Sequence, residues 1–368
     1  MIRVTRRRTL KALVVAVVLG STVAAVGAAA EPRSLTPQQL AGQRVIYSYP
    51  GLTPPETLLQ RIRTGQAAGV IFFGENISGT AQIASVVTQL RDAAAQSPVK
   101  LPLLLMTDQE GGQVRRLPDE PVLSEKQVGQ AADPESAAKA AGTGAGNNLA
   151  SAGMNVNLAP VLDVYRQAGN FIDQYGRSYS MDSRTVGVLG RDFVTAQQAT
   201  GVAATAKHFP GLGAAPAGSN TDTGPLTLNV SLSDLRTKDE APYSGAVGAG
   251  VKLVMLSWAV YPALDGNRPA GLSSTVIQQE LRHGNNFQGV TITDALEAGA
   301  LRNYGSTGNR AVLAAGAGMD LILASARDVA QGDDVVSGLA AALGNGTLPQ
   351  AAFTASADRV SALRSSLH

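Results

Sequence analysis

Eight short apolar runs, each followed by polar or glycine-rich sequence and then by a helical pattern, predict an α/β chain of the (β/α)8, TIM-type barrel class. The runs are rich in Val, Ile and Leu without clean alternation, as parallel strands buried on both faces require. No dinucleotide-binding glycine fingerprint follows the first run, which argues against a doubly wound open sheet.

The runs occupy residues 44–47, 68–73, 101–106, 156–159, 201–206, 252–256, 289–293 and 319–323. Between them lies helix punctuation. Thr53-Pro54-Pro55-Glu56 reads as a capping box with proline in the first turn, ahead of Leu58, Leu59 and Ile62. Ile83, Val87, Leu90 and Ala94 mark one face of the next helix. Asp133-Pro134-Glu135 opens a helix that Gly153 closes. Ser274 is placed to cap a helix running to Arg282, with Gly284 as its stop. The only wide gap between strands, 107–155, holds one helix and a charged insert (Asp119, Glu120, Glu125, Lys126). No segment reads as a second domain or a flexible linker.

The N-terminus is separable. Arg3, Arg6, Arg7, Arg8 and Lys11 form a basic region, residues 12–26 an apolar one, and Ala28-Ala29-Ala30 a small-residue cleavage pattern. Residues 1–30 are therefore expected to be a secretory signal peptide, and 31–368 the exported barrel domain. The mature form is expected to be soluble, extracellular, monomeric and without a membrane anchor. The stretch from Thr5 to Lys11 resembles a twin-arginine signal, with Thr9 where a bulkier apolar residue is usual.

The formal net charge of +2 implies no polyanionic partner such as nucleic acid. With no cysteine and three histidines, neither a disulfide framework nor a thiolate or histidine-rich metal site is expected. No cofactor is implied.

In a barrel, the residues at the C-terminal ends of the strands converge on one face. Here they are Asp108-Gln109-Glu110 through Arg115-Arg116, then Asp163, Lys207-His208, Ser257-Trp258, Asp294-Ala295-Leu296-Glu297 and Ser325. This set is rich in carboxylates, Lys and Arg and holds the only Trp. It lacks a Ser-His-Asp pattern and phosphate-binding glycines. Two or more carboxylates among many hydroxyl-binding groups are what glycoside hydrolysis needs. One carboxylate must be ionised to meet the anomeric carbon, and a second group must deliver a proton to the leaving oxygen. Carbohydrate is the expected substrate.

Three motifs make the resemblance specific: Asp108-Gln109-Glu110-Gly111-Gly112, Lys207-His208-Phe209-Pro210-Gly211, and Gly289 through Leu296 around Asp294. In these the chain resembles glycoside hydrolase family 3. It is most similar to the short, single-barrel β-N-acetylglucosaminidases of the secreted actinobacterial type. Those lack the C-terminal α/β sandwich domain of the longer β-glucosidases. The resemblance implies that Asp294 is the nucleophile of a retaining, exo-acting enzyme on cell-wall or chitin-type glycans. It implies that Asp108, Arg116, Arg177, Lys207 and His208 hold the sugar.

Two positions depart from that branch. It usually carries Gly-His-Gly and then Asp-Ser-His after the fifth strand, the last His being the acid/base. Here the loop reads Gly211-Leu212-Gly213 and then Asn220-Thr221-Asp222-Thr223. Asp222 is the only ionisable side chain between Gly211 and Pro225, so it is the candidate acid/base. The glycine-rich loop is expected to act as a mobile lid that buries Asp222 beside Asp294. Trp258 stands where the branch often has histidine, and is placed with the sugar-binding set as a candidate platform. The alternatives are a sugar-binding barrel that lost turnover with the histidine, or a β-glucosidase.

Overall fold

The computed structural model describes residues 35–367, together with Met1 and Ile2. The segment expected to be a signal peptide therefore lies almost entirely outside the described residues. By contacts the chain divides into Met1–Ser34 and Leu35–His368, and the barrel lies in the second unit.

Eight parallel strands form one sheet. They are β1 (Val45–Tyr47), β2 (Gly69–Ile71), β3 (Leu104–Thr107), β4 (Val156–Asn157), β5 (Ala203–Phe209), β6 (Leu253–Leu256), β7 (Val290–Thr293) and β8 (Ile322–Leu323). The strand order is β7-β6-β5-β4-β3-β2-β1-β8. The two ends of the sheet meet: Ile292 bridges to Leu321, and the Leu321 amide donates to the Thr291 carbonyl at 2.9 Å. A parallel sheet closed in sequence order is the (β/α)8 barrel the apolar runs predict. Each run overlaps one strand. The largest shift is at β5, which continues through Lys207, His208 and Phe209.

Helices α1 (Glu56–Arg63), α2 (Thr80–Ala95), α3 (Pro134–Ser151), α4 (Ser183–Gln198), α5 (Ala241–Gly248), α6 (Thr275–Gly284), α7 (Thr307–Ala317) and α8 (Val329–Gly344) surround the strands. Asp133 caps α3 by accepting from the Ser136 amide at 3.1 Å. The capping box expected at Thr53 is not formed. Helix α1 begins only after Pro55, which is extended and gives no side-chain cap. The reason is steric: a residue that precedes proline is driven out of the helical region, so Pro54 cannot be a helical first residue. Ser274 likewise makes no side-chain cap; the Ser273 hydroxyl accepts from the Val276 amide instead. The small residues of α3 serve close packing. A Cβ on Gly142 would fall 2.4 Å from the carbonyl oxygen of Phe193 on α4.

Inside the barrel, Ile46, Met106, Val156, Leu253, Ile292 and Leu323 form a packed core. Its lower end is stoppered by the C-terminal helix Gln350–Ser365 and the residues just after it, through Val360, Leu363 and Leu367. Each such buried side chain contributes about 1.5–3 kcal/mol. Arg364 ties this stopper to the carbonyls of Pro102 and Leu101 at 2.7 and 3.1 Å. The open end is therefore the one where the strands finish.

Candidate active site

A pocket of about 450 Å³ opens at the C-terminal ends of the strands. That volume is in the range of small-ligand sites. Its lining includes Asp108, Arg116, Arg177, Lys207, His208, Asp222 and Asp294, which are seven of the eight residues singled out in the sequence. Phe73, Phe171, Glu297, Ser325 and Arg327 complete much of the wall.

The wall from β3 to β5 is a charge network. Lys207, buried at the end of β5, donates to Asp108 at 2.7 Å and lies 2.7 Å from Glu110. Arg177 holds Glu110 by two hydrogen bonds of 2.9 and 2.7 Å. Burial alone would push the Glu110 carboxyl up. The Arg177 and Lys207 charges outweigh it and hold the carboxyl well below its usual range. Asp108 is held low in the same way by Lys207 and then Arg116, against the opposing effect of burial. Glu110 does not line the pocket; it fixes the two cations that do.

The Asp108-Gln109-Glu110-Gly111-Gly112 stretch makes a hairpin with Val114–Arg115. Gln109, fully buried, is its internal brace. Its side-chain oxygen accepts from the amides of Arg116 and Leu117, each at 3.0 Å. That fold-back returns the Arg116 guanidinium to 3.9 Å from the Asp108 carboxylate.

Lys207 and His208 are consecutive yet both line the pocket, where strand neighbours ordinarily face opposite ways. The peptide joining them is cis. His208 Nδ1 lies 2.8 Å from a carboxylate oxygen of Asp163, which also accepts from the Leu212 amide at 2.6 Å. The sequence places Asp163 among the strand-end residues, in the loop after β4. Its further effect is to hold the ring so that Nδ1–H donates to the carboxylate. The opposite nitrogen, Nε2, then faces the pocket, 3.5 Å from Arg177.

Asp294 stands just past β7. Its Oδ1 accepts from the Ala295 amide at 2.7 Å. Its carboxyl is raised above the ordinary aspartate value, chiefly by burial and further by the charge of Asp222, against the pull of His208. Asp222 shares the pocket with it, but its residue is exposed. The loop that carries it is not the free lid expected. The Gly299 and Ala300 amides, beyond β7, donate to the carbonyls of Asp222 and Thr221 at 2.8 and 2.9 Å. A Cβ on Gly299 would strike the Thr223 backbone at 2.5 Å, so only glycine permits this approach. The physical reason for the difference is that the small residues let the loop lie against its neighbour, whereas composition alone suggests freedom.

Trp258 is a correction. It is 1% exposed and does not line the pocket. Its indole N–H donates to the Ala295 carbonyl at 2.8 Å. It packs beneath the loop after β7 rather than offering a face to the pocket, because its polar edge finds its partner inside.

Glu297 and Ser325 belong to the strand-end set read from the sequence, and Arg327, two residues beyond Ser325, carries the same positional signal. Glu297 accepts from Ser325 at 3.0 Å and from Gln331 at 3.1 Å. Phe73 closes the second apolar run, two residues past β2, and shares that signal; Phe171 carries none, since an aromatic in a loop reads equally well as packing.

A (β/α)8 barrel with Asp108, Asp222 and Asp294 in one pocket beside Arg, Lys and His side chains fits a glycoside hydrolase. The chain belongs to glycosyl hydrolase family 3: the Glycosyl hydrolase family 3 N terminal domain matches residues 38–363. An uncharacterized secreted glycosyl hydrolase of Arthroderma benhamiae is 46% identical over 352 residues, covering 95% of this chain and 99% of its own. The structure of a family 3 beta-N-acetylglucosaminidase from Paenibacillus sp. str. FPU-7 superposes with a TM-score of 0.84 at 34% identity over 90% of this chain. This chain spans 63% of that protein's length. The Beta-N-acetylhexosaminidase of Beutenbergia cavernae DSM 12333 superposes with a TM-score of 0.82 at 31% identity, over 90% of this chain and 99% of that one.

Proposed function

We propose that the protein is a retaining, exo-acting β-N-acetylhexosaminidase that acts outside the cytoplasm on cell-wall or chitin-type glycans. The observation that carries the reading is that Asp294 and Asp222 line one pocket together with Asp108, Lys207 and His208. The names of the Paenibacillus and Beutenbergia proteins support the substrate class. The word secreted in the name of the Arthroderma relative supports the location. Among the described residues no helix is long and apolar enough to cross a membrane.

In this reading Asp108, Arg116, Arg177, Lys207 and His208 bind the hydroxyls of the terminal sugar. An Asp294 oxygen attacks the anomeric carbon as the bond to the leaving oxygen breaks. Asp222 gives that oxygen its proton. Water then attacks the same carbon, Asp222 takes the water's proton, and the Asp294 ester opens. Each proton and electron pair returns to its starting group.

Release of nitrophenol from an aryl β-N-acetylglucosaminide tests the activity. Faster release from the β-glucoside would replace the substrate assignment. No release from either would favour a binding barrel. Export is tested by sequencing the N-terminus of secreted protein, expected at Glu31.

A further inference from the structure

The hydroxyl-binding charges stand on the β3–β5 side of the pocket, and Asp294 stands at β7. A sugar held by its hydroxyls at the first wall presents its anomeric carbon to the second. Displacement at that carbon is in line, so the leaving group departs on the face turned away from Asp294, towards the mouth of the pocket, whose remaining wall comes from β8 and β2. That wall has no role in the mechanism above.

Its centre is a pair of flat groups. The Arg327 guanidinium lies 4.3 Å from the centroid of the Phe73 ring, a cation–π stack. Both residues line the pocket. Three features fix the arginine. Its backbone is in the left-handed region, at φ 59°, which a non-glycine residue adopts only when its surroundings impose it. Its amide donates to the Ser48 hydroxyl at 2.9 Å. Its guanidinium lies 3.7 Å from Glu75. Glu75 lies beside the guanidinium at the half-exposed rim, and the guanidinium and the ring together border the pocket.

We infer that the Phe73–Arg327 stack is the platform for the second sugar ring, the one on the leaving-group side of the scissile bond. The ring would lay its C–H face on the stack. The inference rests on the hexosaminidase reading for the identity of the first ring.

The test compares two substrates with alkoxide leaving groups: the β-1,4-linked disaccharide of N-acetylglucosamine and methyl β-N-acetylglucosaminide. Only the first has a second ring. In Arg327→Ala and in Phe73→Ala, the ratio of kcat/KM for the disaccharide to that for the methyl glycoside should fall about tenfold. The loss should lie mainly in KM. Arg327→Lys keeps the charge and loses the plane, so it should resemble Arg327→Ala. An unchanged ratio, or full rescue by Lys, overturns the platform while the activity itself stands. Calorimetric titration of both sugars into an Asp294→Asn protein reads the same preference without turnover. Binding of the disaccharide no tighter than the methyl glycoside also overturns it. If neither sugar is cleaved or bound, the platform and the hexosaminidase reading both fall.

Discussion

Arg177 and Glu110 form a two-pronged ion pair in which the carboxylate is 2% exposed. Lys207 joins the same carboxylate from β5. The β3–β5 wall of the pocket is thus held from behind by a residue that does not line it.

This arrangement predicts a stability effect and its pH dependence. Glu110→Gln leaves two cations short of their partner, and should destabilise the fold by about 3–5 kcal/mol. Because the folded carboxyl is held below its ordinary value, the pair's stabilisation is complete above the unfolded pKa of about 4.3. It is lost as pH falls below that value towards the folded one. Thermal melts between about pH 3 and 7 should show the wild type losing stability on acidification more steeply than Glu110→Gln. Parallel curves would mean the pair contributes nothing across this range.

Asp294→Asn is expected to lower kcat by roughly three orders of magnitude or more, since a two-step covalent route is lost. The motivation is its position past β7, braced by the Ala295 amide. A 2-fluoro sugar with a good leaving group should label Asp294, as peptide mass spectrometry would show. Label on another residue sinks the assignment.

For Asp222 two outcomes are expected. Asp222→Ala should cripple cleavage of glycans, whose leaving oxygen needs a proton, and spare the first step with a dinitrophenyl leaving group. Azide should then speed the second step and give a β-glycosyl azide. Separately, a general acid must be protonated to act, so its titration sets the basic limb of kcat/KM; Asp222→Asn should remove that limb from the residual activity. Equal losses on good and poor leaving groups, with no azide rescue, would make Asp222 a turn residue.

Arg116→Ala tests the sugar-binding wall with little risk to the fold, because its side chain is 29% exposed and its nearest carboxylate is 3.9 Å away. Loss of a charged hydrogen bond of about 1.5–3 kcal/mol predicts a ten- to hundred-fold fall in kcat/KM. The melting temperature should stay within a degree or two of wild type. A fall in melting temperature without a fall in activity per folded molecule would make Arg116 structural.

Trp258→Phe removes the donor to the Ala295 carbonyl and leaves that oxygen unmet, at a cost of about 1–3 kcal/mol. Ala295 in turn donates to Asp294, so kcat should fall while KM holds. A destabilised variant with wild-type kcat would reduce Trp258 to packing alone.

The sequence by itself determined the barrel and most of the pocket. Apolar runs without alternation are a local property, and closing eight of them in order sends their C-terminal ends to one face. Asp108, Lys207 and Asp294 could be named because they stand at or just past strand ends. The tertiary structure alone decided which groups meet. Arg177 reaches Glu110 across 67 residues of sequence, and His208 reaches Asp163 across 45. Neither spacing follows a period that a chain advertises. The structure also turned Trp258 inward, pinned the Asp222 loop against Gly299 and stacked Arg327 on Phe73. Those outcomes depend on how separate loops fill shared space above the barrel. Local propensity is silent there, and close packing and the pairing of buried polar groups decide.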